Sequence, residues 1–256
     1  MNAFNKLCTE FYDIDKPTAP PDALEFYLRF ARECSQPILE PMCGSGRFLI
    51  PMLASGIDID GLDASLHMLA ACREKCHRRG LSPWLSQQSL HEMDVPRKYG
   101  LVFIAAGSFN LVTDADQVKQ SLRRIHEAML PGARLLLETG RRKPTESSSW
   151  PWGGRWVRRP DGAKIVISWL GHYDATTSIS RNVHRYELIK DGRLVATEFE
   201  DFDLRCYALA ELQDLLERAG FRCERILKTY DVRPPDETDE DCIIECIRGT
   251  LEPEEL

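Results

Sequence analysis

Nothing in this chain is apolar for long enough to cross a membrane. The longest apolar run, Leu101 to Ala106, has the length of a buried strand, far short of the roughly 20 residues a spanning helix needs. The first residues carry Lys6, Glu10, Asp13 and Asp15 without an apolar centre, so a cytoplasmic location is expected rather than a signal peptide. Positive charge is also scarce. With 33 Lys and Arg against 40 Asp and Glu, the formal net charge of −7 argues against a broad nucleic-acid footprint. Two local exceptions, Arg141-Arg142-Lys143 and Arg155 to Arg159, read as solvated faces or anion contacts and leave an RNA acceptor only a minor alternative. The nine cysteines include no C-x-x-C, and no His/Cys constellation surrounds the pairs Cys72/Cys76 and Cys242/Cys246. No metal is expected, and the thiols should be reduced and mostly buried. Internal repeats and low-complexity tracts are absent.

What is present fits one domain, residues 1–256, with an N-terminal helical arm over 1–33 and an insertion over 141–206. The central stretch is Pro37 to Met42, a short buried strand, followed by Cys43-Gly44-Ser45-Gly46 and a helix over about 46–54. Without a Cβ, Gly44 and Gly46 can take positive φ and let backbone approach a ligand, over which the helix start would direct unpaired N–H groups. Glu40, at the strand end, is placed to order the loop or to accept from a cationic ligand group. Arg47 in the first helical turn opposes the macrodipole, which suggests a partner: a ligand carboxylate, an acidic substrate group, or Glu40 or Asp13. A second strand, Gly56 to Asp63, ends in an acid roughly 20 residues on, the position from which nucleotide-binding α/β folds read ribose hydroxyls. Asp63 could equally cap the helix that follows, as could Ser65.

E-P-M-C-G-S-G-R, G-L-D-A-S-x-x-M-L, L-V-F-I-A-A-G-S-F and L-P-G-A-R-L-L-L-E, in that order, resemble the motifs of class I S-adenosylmethionine-dependent methyltransferases. The resemblance is close over about 37–140 and loose over 205–248. It implies an α/β, Rossmann-like fold, a seven-stranded mixed sheet with helices on both faces, here with an inserted antiparallel β lid. It further implies S-adenosyl-L-methionine as cofactor, with S-adenosyl-L-homocysteine as product, held by Glu40, Met42, Cys43, Gly44, Gly46, Arg47, Asp63, Ala64, Met68, Ser89, Leu90, Ala106 and Gly107. A dinucleotide reading is weaker, because Leu49 stands where G-x-G-x-x-G needs its third glycine. The chain departs from the family at Met42, where a glycine is usual, at Ser89, where an acid commonly reads the adenine, and at Gly100, where an acid is common.

Elsewhere, a short helix over 4–12, a proline-rich loop over 13–21 and a helix capped by Asp22 are expected. Phe11-Tyr12-Asp13 is similar to arms that lie over cofactor and substrate in small-molecule methyltransferases, or is an aromatic anchor. A helix over 65–79 should turn Leu66, Leu69 and Ala70 inward. Ser108 and Asn110 lie at a strand's carboxyl end, where open α/β sheets place ligands, and a helix from Thr113 or Asp114 should run through Met129. Alternation at 163–170, 179–189 and 193–204, with Asp191-Gly192 as a hairpin turn, predicts three antiparallel strands. Trp150, Trp152, Trp156 and Trp169 would line that lid or pack a dimer interface. His172, after Gly171, is the candidate base, with His184 behind it and Tyr12 and Tyr173 as orienting hydroxyls. The expected function is methyl transfer to N or O of a small-molecule acceptor, by a monomer or homodimer, with nucleic acid and membrane not expected as partners. A protein or RNA methyltransferase, supported only by 155–159, and a non-catalytic cofactor-binding subunit are the alternatives.

Overall fold

The computed structural model describes residues 4–140 and 144–249; the basic triplet 141–143 lies outside them. In chain order the helices are α1 (Lys6–Asp15), α2 (Pro21–Glu33), α3 (Leu49–Ala54), α4 (Leu66–His77), α5 (Ala115–Ala128) and α6 (Leu209–Arg218). The strands are β1 (Ile38–Pro41), β2 (Ile59–Asp63), β3 (Leu85–Gln87), β4 (Tyr99–Ile104), β5 (Met129–Gly140), β6 (Ser148–Arg158), β7 (Lys164–Asp174), β8 (Ile179–Lys190), β9 (Arg193–Asp201), β10 (Leu204–Arg205), β11 (Phe221–Lys228) and β12 (Asp241–Arg248).

Seven strands form one sheet in the order β11-β12-β5-β4-β1-β2-β3. Strands β1 to β5 run parallel, and β12 and β11 add antiparallel at one edge. Both faces are covered, so the central strands are apolar throughout rather than alternating. Successive residues of one strand feed opposite cores. Val102, Ile104, Leu135 and Leu137 pack with Val118, Leu122, Leu212 and Leu216 of α5 and α6. Leu101, Phe103 and Leu136 pack with Tyr27, Phe30, Leu49 and Leu69 of α2, α3 and α4. The second sheet is antiparallel, ordered β10-β8-β7-β6 with β9 also on β8. One face of it packs Ile165, Ile167 and Tyr186 against Leu7, Cys8 and Phe11 of α1.

Several boundaries differ from expectation. Helix α1 continues to Asp15 through residues expected as loop. Its N-terminal N–H groups find no side-chain cap in Asn5; Asn5 N donates to Glu200 Oε1, and Leu7 N to Glu198 Oε2 at 2.7 Å. Helix α2 is entered through Pro20 and Pro21, whose fixed φ suits the first turn, and Asp22 lies inside that turn rather than at the cap. The buried stripe of α4 is Met68, Leu69, Cys72 and Cys76, whereas Leu66 is exposed. Asp114 caps α5, accepting from Asp116 N and Gln117 N at 3.0 and 2.9 Å. Met129 already belongs to β5, not to the helix. The second sheet has two more strands than expected, β6 and β10. Strand β6 carries Pro151 and two glycines, which hide its period; as an edge strand it tolerates them, with a register break between Trp150 and Gly153.

Candidate functional site

Beyond Pro41 the chain takes the left-handed conformation three times, at Met42 (φ 59°), Gly44 (φ 54°) and Gly46 (φ 84°). Met42 therefore adopts, with a side chain, the backbone that a glycine adopts freely, a strain of about 1–2 kcal/mol. Gly46 has no substitute: an added Cβ would lie 2.7 Å from Cys72 Sγ and 2.8 Å from Ile50 Cδ1. Residues 46–48 are a turn, and regular helix starts only at Leu49. The expected helix start at Gly46 is corrected accordingly. Two bonds tie the turn to β2: Cys43 N to Leu62 O at 3.0 Å, and Gly44 N to Asp63 Oδ2 at 2.8 Å.

Asp63 is gripped from both sides, its Oδ1 accepting from Ser65 N at 2.8 Å. Burial raises its carboxyl pKa, and the backbone N–H groups of Ser65, Gly44 and Ala64 pull it back. The helix cap falls to Ser65, whose Oγ accepts from Met68 N at 3.2 Å. Asp63 thus keeps a further lone pair on each oxygen for a ligand. Met68 is buried with Sδ 4.0 Å from the Cβ position of Gly44, and Ala64 is exposed.

Glu40 is 4% exposed, and its Oε2 has no hydrogen-bond partner. Desolvation raises its pKa well above the carboxylate range, while Arg47 and the backbone N–H of Leu49 oppose that. Arg47 has a buried, unpartnered Nε, and its guanidinium stands 5.7 Å from the Tyr12 ring and 5.1 Å from Phe48. Asp13, one of its expected partners, instead accepts from Ser45 Oγ (2.5 Å) and Lys75 Nζ (2.9 Å). Those bonds, with Ser65 Oγ donating to Phe4 O at 2.6 Å, hold α1 across the turn. Tyr12 is half-buried there, and desolvation raises its phenol pKa against the pull of Arg47.

The third wall follows β4, where Ala106 (φ 56°) and Gly107 (φ 64°) are both left-handed. Ala106 N donates to Glu138 Oε2 at 2.7 Å, and the same carboxyl group accepts from Tyr27 and Tyr230 hydroxyls, each at 3.0 Å. Burial raises the Glu138 pKa, and these three donors restrain it. This hub escaped the sequence reading, although Glu138 ends an apolar strand as Glu40 does. Asn110 is spent on structure, donating to Arg205 O at 2.7 Å, and Ser108 Oγ donates to Ala105 O at 2.8 Å. Leu90 is buried behind Ser89, which precedes a short 3-10 turn. Gly100 lies at the far end of β4, where a Cβ would meet Gln36 Cβ at 2.6 Å, so no side chain fits there.

On the second sheet, His172 lies on the exposed outer face with Nδ1 2.8 Å from Ser149 Oγ. The expectation that it points into a pocket is corrected: β7 turns Tyr173 and Gly171 inward, and alternation sends His172 out. Tyr173 is buried and donates to Pro144 O at 3.0 Å. On the inner face, His184 lines a cavity of about 460 Å³ with Trp150, Trp169, Arg155, Asn182 and Phe202. Another cavity, about 370 Å³ around Cys34, Gln36, Gly100 and Pro131, lies at the amino ends of β1 and β4, away from all these groups.

Residues 38–132 match the family described as a methyltransferase domain. A relative from Geobacillus sp. (strain WCH70), whose methyltransferase assignment is itself provisional, is 26% identical over 133 residues, 50% of this chain and 54% of the relative. The matched stretch thus spans about half the length of that curated relative. The crystal structure of an S-adenosylmethionine-dependent methyltransferase from Clostridium acetobutylicum ATCC 824 is similar, with TM-score 0.76 and 15% identity, covering 96% of this chain and 98% of the other. So is the sugar N-methyltransferase KedS8 from Streptoalloteichus sp ATCC 53650, with TM-score 0.76 and 18% identity, covering 97% and 95%. The architecture is therefore the class I methyltransferase fold. Within it, residues 38–132 carry the match to the methyltransferase-domain family.

Proposed function

We propose that the protein transfers a methyl group from S-adenosylmethionine to a nitrogen or oxygen of a small organic acceptor. One observation carries this reading: around a single turn stand Asp63, with both oxygens fixed and both still able to accept, and the unpartnered buried atoms Glu40 Oε2 and Arg47 Nε. Buried polar atoms without partners are rare in folded proteins and call for one. The cofactor offers matching groups: a ribose diol for Asp63, an ammonium for Glu40 and a carboxylate for Arg47. When bound, it supplies a sulfonium methyl whose leaving group is already activated. The chain then has to align the acceptor and exclude water. The strained backbone at Ala106, fixed by Glu138, gives a rigid wall at the carboxyl end of β4 beside the turn, and Tyr12 roofs the turn from α1.

A macromolecular acceptor loses its support, because Arg155 is paired with Asp15 at 2.7 Å and Arg159 with Glu10 at 3.1 Å. The neighbour acting on sugar nitrogen supports a small amine-bearing acceptor. Thermal unfolding with excess S-adenosylmethionine or S-adenosylhomocysteine tests the cofactor. At about 100 times Kd the expected gain is roughly 2.7 kcal/mol, a Tm rise of about 5–10 °C, absent with NAD and abolished in Asp63→Ala. No rise with either adenosyl ligand would overturn the reading.

A further inference from the structure

The cavity on the inner face of the second sheet has a floor laid by two glycines. Trp150 faces Gly171 across β6 and β7, and Trp169 faces Gly153. A Cβ at 171 would lie 2.2 Å from Trp150 Nε1, and one at 153 would lie 2.6 Å from the Trp169 ring. Each indole therefore lies flat on the backbone of the opposite strand, and together they present an apolar platform. Beside it on β8, opposite Trp169, His184 stacks on Phe202 with centroids 4.7 Å apart and planes at 15°.

The imidazole is asymmetric. Its Nδ1 is sealed from solvent with no hydrogen-bond partner, while the ring lines the cavity. A proton on Nδ1 would be an orphaned buried donor, the costlier arrangement, so the proton is assigned to Nε2. Burial also lowers the His184 pKa, keeping the ring neutral. Other polar groups nearby are engaged: Asn182 Nδ2 donates to Ser180 O and Phe202 O, and Arg155 is held by Asp15. His184 Nε2 is the imidazole donor at the platform, beside the indole N–H groups of Trp150 and Trp169 and the Ser180 hydroxyl.

The cavity's walls connect to the cofactor side. Phe202 meets Phe4 edge-on at 5.8 Å, and Phe4 O accepts from Ser65 beside Asp63. Leu204, another lining residue, precedes Arg205, whose carbonyl holds Asn110 just beyond Gly107.

We propose that this cavity is the acceptor subsite, and that it takes a ring-shaped acceptor laid on the two indoles with an oxygen substituent accepting from His184 Nε2. The inference deepens the methyl-transfer reading and rests on it. His184 is a positioning residue here, holding the acceptor rather than removing its proton.

The test is a tryptophan-fluorescence titration of the full chain with cyclohexylamine and 2-aminocyclohexanol, which differ by one hydroxyl. Each is run with and without S-adenosylhomocysteine. In the wild type the hydroxyl should tighten binding about three- to tenfold, the worth of one neutral hydrogen bond. His184→Phe keeps an aromatic ring to stack on Phe202 and should lose that gain. His184→Gln, whose amide N–H can stand near the place of Nε2–H, should keep most of it, and neither variant should change S-adenosylhomocysteine affinity. An equal hydroxyl gain in His184→Phe, or no response to either amine, overturns the proposal. Failure of S-adenosylhomocysteine to bind the wild type overturns the cofactor reading instead, since the amine titrations are also read without it.

Discussion

Glu40 concentrates the conflict between stability and function in one side chain. Its folded-state pKa is raised above the roughly 4.3 of an exposed glutamate, so the folded state binds the proton more tightly than the unfolded one. That contribution to stability is complete below the unfolded pKa and is lost as pH rises through the folded pKa. Asp63, Glu138 and Glu200 are shifted in the same direction. The ligand-free protein should therefore lose Tm between pH 5 and pH 8. Glu40→Gln should flatten that fall and raise Tm at pH 8, yet weaken S-adenosylmethionine binding about tenfold or more, the worth of a hydrogen bond to a charged group. Unchanged affinity would remove Glu40 from the cofactor's contacts. Asp63 was legible because strand, spacing and acid coincide in the sequence. Met42 and Ala106 were legible as positions but not as strain, since nothing local says that a non-glycine residue will be held left-handed.

Helix α1 shows why elements were harder to read than motifs. Its start is stabilised by Glu198 and Glu200, carboxylates some 190 residues away that satisfy free N–H groups and complement the helix dipole. No local pattern announces such a cap. The same helix sends Asp13 to the glycine turn, Asp15 to Arg155 of β6 and Glu10 to Arg159 just beyond it. Substituting both acids, Glu198→Gln with Glu200→Gln, should speed amide exchange across residues 6–15 at least tenfold while β1, β4 and β5 keep their protection. Equal exchange in variant and parent would mean that packing of Leu7, Cys8 and Phe11 alone holds the helix. Strand β6 was illegible for the opposite reason: its glycines and Pro151 look like loop, and only the Trp169 indole lying across Gly153 reveals the use of that glycine.

At the scale of the molecule, the seven-stranded sheet was expected from the resemblance of the ordered motifs to a known family, whereas the second sheet's depth and pairing came only from contacts distant in sequence. Four of the five tryptophans lie in that second sheet, so fluorescence reports on it while far-UV circular dichroism reports on the whole. Because α1 packs on the second sheet and Asp13 bonds to Ser45 and Lys75 of the other layer, the two signals should give one coincident unfolding transition. Separate midpoints would mean that the sheets unfold independently. The two indole floors also bear on how such a protein can change over generations. What the floor accepts depends on Gly153, Gly171 and the rings upon them. What the turn holds depends on Gly46, Asp63 and Glu40. No residue is shared between the two sets, so on the proposed reading descendants can try new acceptors by altering one surface while inheriting the methyl donor intact.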